Sequence, residues 1–190
     1  MIQSISDKQA CVFPRKCNWP VGPVEQNENL CLDEPYSEER VVPVFEEDDI
    51  TVDWRRWNVV RPAKDQGKCG GDFAFTSASI AESRFAIKTG KLYDLSEQYL
   101  LDCDTLSKGC QGGWHESAGY LLSTQGAVLE RDYPFVGKKQ ECQHEVTENS
   151  VFKLAYPGIK QVDSNKNAFK AALRESPLQV SFKVSNELFF

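Results

Sequence analysis

The chain has 190 residues, 41% of them hydrophobic, and four Trp, which is enough apolar material for a core and excludes global disorder. A net charge of −6 supplies no basic excess to meet nucleic acid or an anionic membrane surface, so neither is expected as a partner. No apolar run approaches the roughly 18 residues that span a bilayer, and the opening MIQSISDKQA lacks the basic-then-apolar order of a signal peptide.

Residues 1–48 differ from the rest. Pro14, Pro20, Pro23, Pro35 and Pro43 punctuate them, and acidic residues gather at Glu38-Glu39 and Glu46-Glu47-Asp48-Asp49, so no helical period is sustained. The segment reads as an acidic, Pro-rich extension or linker; an inhibitory pro-segment is the functional alternative. It carries three of the seven cysteines, Cys11, Cys17 and Cys31; the others are Cys69, Cys103, Cys110 and Cys142. No close Cys pair of zinc-binding spacing occurs and there are only two His, so disulfides and an oxidising compartment are expected, with neither metal nor cofactor. The odd count leaves at least one thiol free or paired with another chain.

Residues 49–190 read as one domain. Thr51–Arg55 is expected as a short strand or extended entry. A glycine-rich loop, Gln66-Gly67-Lys68-Cys69-Gly70-Gly71, then opens a helix from Asp72 to Thr89, with Ala74, Ala78, Ala81 and Phe85 on one face and Gly90 as its stop. Ser96 is placed to cap a second helix through Leu101, and Trp114–Thr124 reads as a third, stopped near Gly126. Asp132–Phe135 is a turn or extended piece, and Phe152–Val162 is strand-like with a Pro157-Gly158 break. Ser164 should cap an amphipathic helix with Phe169, Ala172 and Leu173 inward. Last, Leu178, Val180, Phe182 and Val184 alternate with polar residues, as in a half-buried strand. That strand has few sheet partners upstream, so the chain is expected to stop inside a domain.

The glycine loop is a good place for chemistry, because backbone N–H groups and a helix N-terminus converge there. Gln66 through Phe75 resembles the active-site segment of papain-like cysteine peptidases, whose signature is Cys-Gly-[Ser/Ala]-Cys-[Trp/Tyr]. Here it reads Cys69-Gly70-Gly71-Asp72-Phe73. Four further stretches carry the same resemblance in the same order. They are Val52-Asp53-Trp54-Arg55, Leu95-Ser96-Glu97-Gln98 through Asp102-Cys103, Gly109-Cys110-Gln111-Gly112-Gly113, and Tyr133-Pro134 followed by Cys142. The resemblance is to the papain and cathepsin L branch. It implies an α+β papain-like fold with the helical left subdomain complete and the β-rich right subdomain partly present. It also implies the bridges Cys69–Cys110 and Cys103–Cys142, the second clipping a loop of about 38 residues, worth roughly 3–4 kcal/mol. The leftover thiol would then lie among Cys11, Cys17 and Cys31. Gly70, Gly112 and Gly113 would form the substrate cleft, where the family holds peptide in extended form, and Gln66 would occupy the oxyanion-donor position.

The departure is Asp72, which stands at the nucleophile's position. A carboxylate attacking an amide would give an anhydride, and its charge opposes the oxyanion by roughly 4 kcal/mol at about 4 Å and an effective dielectric near 20. As a helix-capping residue it would instead gain roughly 0.3–1 kcal/mol from the dipole. The family's His and Asn would fall about 130–150 residues past the nucleophile, beyond residue 190, and His115 and His144 read as surface or capping residues. Asp102, Asp104 and Glu116 offer no evident partner for an aspartic-peptidase or glycosidase pair. The expected function is therefore a non-catalytic scaffold that holds a disulfide-tied cleft and binds a peptide or protein segment. The alternative is part of a cysteine-type peptidase whose His and Asn lie outside this chain. Either would work in an extracellular or lysosome-like compartment.

Overall fold

A computed structural model describes residues 51–155 and 158–182. The 1–48 extension with Cys11, Cys17 and Cys31, together with Pro157 and Val184, lies outside the described residues.

The first helix, α1 (Asp72–Thr89), is buried around most of its circumference. Ala74, Ala78 and Ala81 have no exposed surface, and such small side chains let α2 (Glu97–Cys103) and α3 (His115–Thr124) pack closely against α1. Gly90 ends α1 in the left-handed region at φ 77°, its N–H reaching the Ala86 carbonyl at 2.8 Å. Ser96 caps α2, its Oγ accepting the Tyr99 N–H at 2.9 Å, and the helix runs two residues beyond Leu101 to Cys103. Phe85 stacks on Phe152 with centroids 4.3 Å apart, bringing the later chain onto the back of α1.

The connection beyond α3 is clamped to α2. Asp102 is buried and accepts from Gln98 Nε2 at 2.9 Å, Tyr133 OH at 3.1 Å and the Gln140 N–H at 2.6 Å. The Cys103–Cys142 disulfide closes the same clamp just before α4 (His144–Thr147). On the other side, Lys64 Nζ bonds Glu97 Oε1 at 2.7 Å and Asp94 Oδ1 at 2.7 Å. Glu82 of α1 accepts the Leu95 N–H at 2.7 Å. These polar ties hold the loop before α1, the helix itself and the start of α2 together. None of them was evident from sequence spacing.

Five expectations are corrected. Trp54–Trp57 is a 3-10 turn rather than a strand, because Asp53 Oδ1 takes the Arg55 N–H at 3.1 Å and closes the chain locally. Trp54 is buried there and its Nε1 donates to the Leu173 carbonyl at 2.8 Å. The 152–162 stretch forms no strand in its described part. Only Phe152 is bridged, to Ala127, while the Leu154 N–H goes to the Leu122 carbonyl at the end of α3. Helix α5 (Lys166–Glu175) is capped by Asn165, whose Oδ1 accepts the Ala168 N–H at 2.9 Å, not by Ser164. Ala172 is buried, but Leu173 is 39% exposed, and its backbone carbonyl accepts the Trp54 Nε1 hydrogen bond.

The last segment is the fifth. Gln179 is buried, whereas Val180 and Phe182 are 51% and 71% exposed, so the expected inward side is not kept, although Leu178 is half-buried and Ser181 exposed. Gln179 Nε2 donates to Thr76 Oγ1 on α1, which sets which side of the chain faces inward. Among the described residues the β content is two isolated antiparallel bridges, Leu95–Leu129 and Ala127–Phe152. No helix there is long and apolar enough to cross a membrane.

Candidate functional site

Two loops meet in front of α1. The first is the glycine loop. Gly67 adopts φ 58°, and its N–H is held by Asp65 Oδ1 at 2.7 Å. The chain then turns back, with the Cys69 N–H on the Gln66 carbonyl at 3.2 Å and the Gly71 N–H on the Cys69 carbonyl at 2.8 Å. The second loop, with a 3-10 turn at Gly109–Gln111, is closed by the Lys108 N–H on the Gly112 carbonyl at 2.9 Å.

A disulfide and a backbone hydrogen bond join them. Cys69 is bonded to Cys110, with Cα atoms 4.5 Å apart, and the Gly70 N–H donates to the Cys110 carbonyl at 2.9 Å. A Cβ on Gly70 would stand 2.8 Å from that carbonyl oxygen, closer than packing allows, so this approach requires glycine. Gly112 and Gly113 play different parts. Gly112 sits at φ 105° with open space where a Cβ would be. Gly113 is pressed inward: a Cβ there would lie 2.7 Å from the Phe73 ring. Behind them the buried Asp104 receives the hydroxyls of Ser107 and Ser117, each at 2.5 Å, and so pins the loop to α3.

Asp72 is exposed at the first position of α1. The expectation that it caps the helix is not met. The N-cap is Gly71, no side-chain cap bond is made, and Asp72 contributes only a first-turn charge. One residue inside the helix, its carboxylate is badly placed to reach back to the orphan N–H groups. Gln66 is half-buried on the same loop.

His115 opens α3 beside this point, half-buried, with Nε2 3.2 Å from Glu116 Oε1. Burial pushes its pKa below the usual imidazole value, while the Glu116 and Asp72 carboxylates push the other way. No hydrogen bond or ion pair joins Asp72 to His115 among the described residues. His144 lies elsewhere, exposed, with Nδ1 3.7 Å from Cys142 Sγ.

The chemistry open to this arrangement is limited. Cys69, Cys103, Cys110 and Cys142 are all disulfide-bonded, so no thiol is available among the described residues. Thr76 Oγ1 donates to the Asp72 carbonyl and Ser77 is buried, so neither hydroxyl stands at the mouth of α1. Asp102 and Asp104 are committed to structural hydrogen bonds, and no group of three or more metal-binding side chains occurs among the described residues.

Comparison with known proteins agrees with this architecture. The family model for papain family cysteine proteases matches residues 49–190. Chymopapain of Carica papaya is 35% identical over 140 residues, covering 73% of this chain and 39% of that protein. Mouse cathepsin K is 36% identical over 136 residues, covering 71% of this chain and 41% of that protein. The crystal structure of a Carica candamarcensis cysteine protease in complex with E-64 superposes with a TM-score of 0.57 at 34% identity, covering 62% of this chain and 55% of that one. The chain therefore spans less than half the length of these two curated relatives, and what it shares with all three is the papain-like α+β fold. On that match it belongs to the papain family of cysteine proteases.

Proposed function

We propose that this chain is a non-catalytic member of its family, in the papain and cathepsin L branch. It keeps the disulfide-tied cleft of Gly70, Gly112 and Gly113 but has Asp72 where the nucleophilic thiol would stand. The observation that carries the proposal is the head of α1: an exposed carboxylate follows the glycine loop, and every described cysteine is sealed in a disulfide. A peptidase of this class needs a thiolate, an imidazole to take its proton and donors for the oxyanion. Gln66 supports the donor position alone. The cleft would then bind an extended peptide segment without cutting it, Gly112 leaving room for the peptide backbone. Two disulfides suit an extracellular or lysosome-like oxidising compartment.

A second reading has one observation in its favour. The chain spans 39% of chymopapain, so a peptidase could draw its His and Asn from polypeptide outside this sequence. One set of assays tests the non-catalytic reading. The purified chain is incubated with fluorogenic peptides, and its Asp72→Cys variant is treated with an activated peptidyl disulfide, which a thiol attacks by exchange, releasing the leaving thiol, without help from an imidazole. We expect no turnover by the native chain, and labelling at position 72 in the variant alone. Turnover by the native chain above a heat-inactivated control would sink the non-catalytic reading. Failure of the variant to label would remove the cleft.

A further inference from the structure

Burial does not rank the two bridges of the described residues. Each joins a buried cysteine to a half-buried one: Cys69, 2% exposed, to Cys110, and Cys103, 5% exposed, to Cys142. Their neighbours differ. Around Cys69–Cys110 the contacts are backbone and apolar. The Gly70 N–H holds the Cys110 carbonyl, and a Cβ on Gly71 would stand 3.1 Å from Leu101 and 3.4 Å from Cys69 Sγ. No side-chain hydrogen bond reaches either of those sulfurs among the described residues.

Cys142 lies instead on an open stretch, with Glu141, Gln143, His144 and Glu145 exposed around it. His144 Nδ1 is 3.7 Å from Cys142 Sγ, so an imidazole N–H can be donated to this sulfur. The other charged groups on the stretch are less well placed to act on it. Lys139 turns its Nζ to the Ser107 carbonyl at 3.3 Å, Glu141 and Glu145 are exposed to screening water, and the buried Asp102 is occupied by donors.

Breaking the Cys103–Cys142 bond would leave this stretch held in place. The Gln140 N–H is on Asp102 Oδ1 at 2.6 Å, and the Gln143 N–H is on Tyr133 OH at 3.1 Å, itself bonded to Asp102 Oδ2 at 3.1 Å. These bonds fall two residues before Cys142 and one after it, so they keep its sulfur at the surface. His144, two residues further on, stays beside it.

We propose that Cys142 is a site of thiol–disulfide exchange, opened by small dithiols, and that His144 makes it the reactive sulfur of this bridge. A thiolate of the dithiol attacks Cys142 Sγ, joins it as a mixed disulfide and expels Cys103, which takes a proton from water. The second thiolate then attacks the dithiol's own bonded sulfur and expels Cys142 as a thiolate. Two electrons have passed: the dithiol leaves as a cyclic disulfide and the protein gains two thiols. A charged His144 draws the first thiolate in and stabilises the last one to leave. The site shares no residue with the cleft of Gly70, Gly112 and Gly113, so it is independent of the proposed function.

The test uses the full chain, with its free thiols first blocked by N-ethylmaleimide. It is exposed to limiting dithiothreitol at about pH 6, where an ordinary imidazole carries charge, and trapped over time with iodoacetamide. Peptide mapping follows Cys69, Cys103, Cys110 and Cys142 separately. Cys103–Cys142 should open before Cys69–Cys110. The exposed substitution His144→Ala should slow alkylation of Cys142 at least roughly fivefold and leave the opening of Cys69–Cys110 as it was. Both bridges opening at one rate, Cys69–Cys110 opening first, or an unchanged Cys142 rate in His144→Ala would each overturn the proposal.

Discussion

Replacing Glu82 by glutamine isolates the cost of burying one carboxylate in this fold. Burial raises the Glu82 pKa from 4.5 to about 7, against the Leu95 N–H and the charges of Lys64 and Arg61, which lower it. In the unfolded chain the same group titrates at its ordinary value. Below about pH 4.5 both states are protonated and burial carries no ionisation cost. Between there and about pH 7 the unfolded state sheds its proton first, so stability declines as pH rises. Above that both states are ionised and the full cost is present. An interval of about 2.5 pH units at about 1.36 kcal/mol each gives roughly 3 kcal/mol. Glutamine keeps an oxygen for the Leu95 N–H and cannot ionise. Glu82→Gln should therefore match the parent near pH 4 and exceed its stability by roughly 3 kcal/mol near pH 8, read by urea unfolding with the disulfides intact. A difference that stays constant across that range, or a loss at pH 8, refutes the reasoning.

Three other perturbations probe the framework. Gly70→Ala drives a Cβ to 2.8 Å from the Cys110 carbonyl and disturbs the bond between the two loops; we expect a loss of about 1–3 kcal/mol in thermal unfolding, and an unchanged melting temperature would contradict the required approach. Removing the second disulfide with Cys103→Ser and Cys142→Ser together frees a separation of 39 residues and should cost about 4 kcal/mol in denaturant, a loss below 1 kcal/mol showing that the clamp around Asp102 suffices alone. Phe152→Ala removes a buried ring stacked at 4.3 Å on Phe85 and should cost about 3–5 kcal/mol, with hydrogen exchange quickening in α1; a change under 1 kcal/mol would mean the site collapses to fill the void.

What the sequence by itself determined are the elements whose stabilising groups are near neighbours in the chain. The bounds of α1 at Asp72 and Thr89, the Gly90 stop and the Ser96 cap of α2 all rest on contacts within four residues, so they could be read directly. The motif resemblance, in turn, pointed to the family. Tertiary structure decided everything whose partner is distant. The inward side of 178–182 depends on Thr76, about a hundred residues earlier. The fate of 152–162 depends on Ala127 and the end of α3. The influence of Lys64 and Arg61 on Glu82 follows from a loop packing beside the middle of α1. A helix closes its hydrogen bonds within itself, but an extended segment or a buried charge takes its conformation from whatever stands opposite, and no spacing along the chain encodes that.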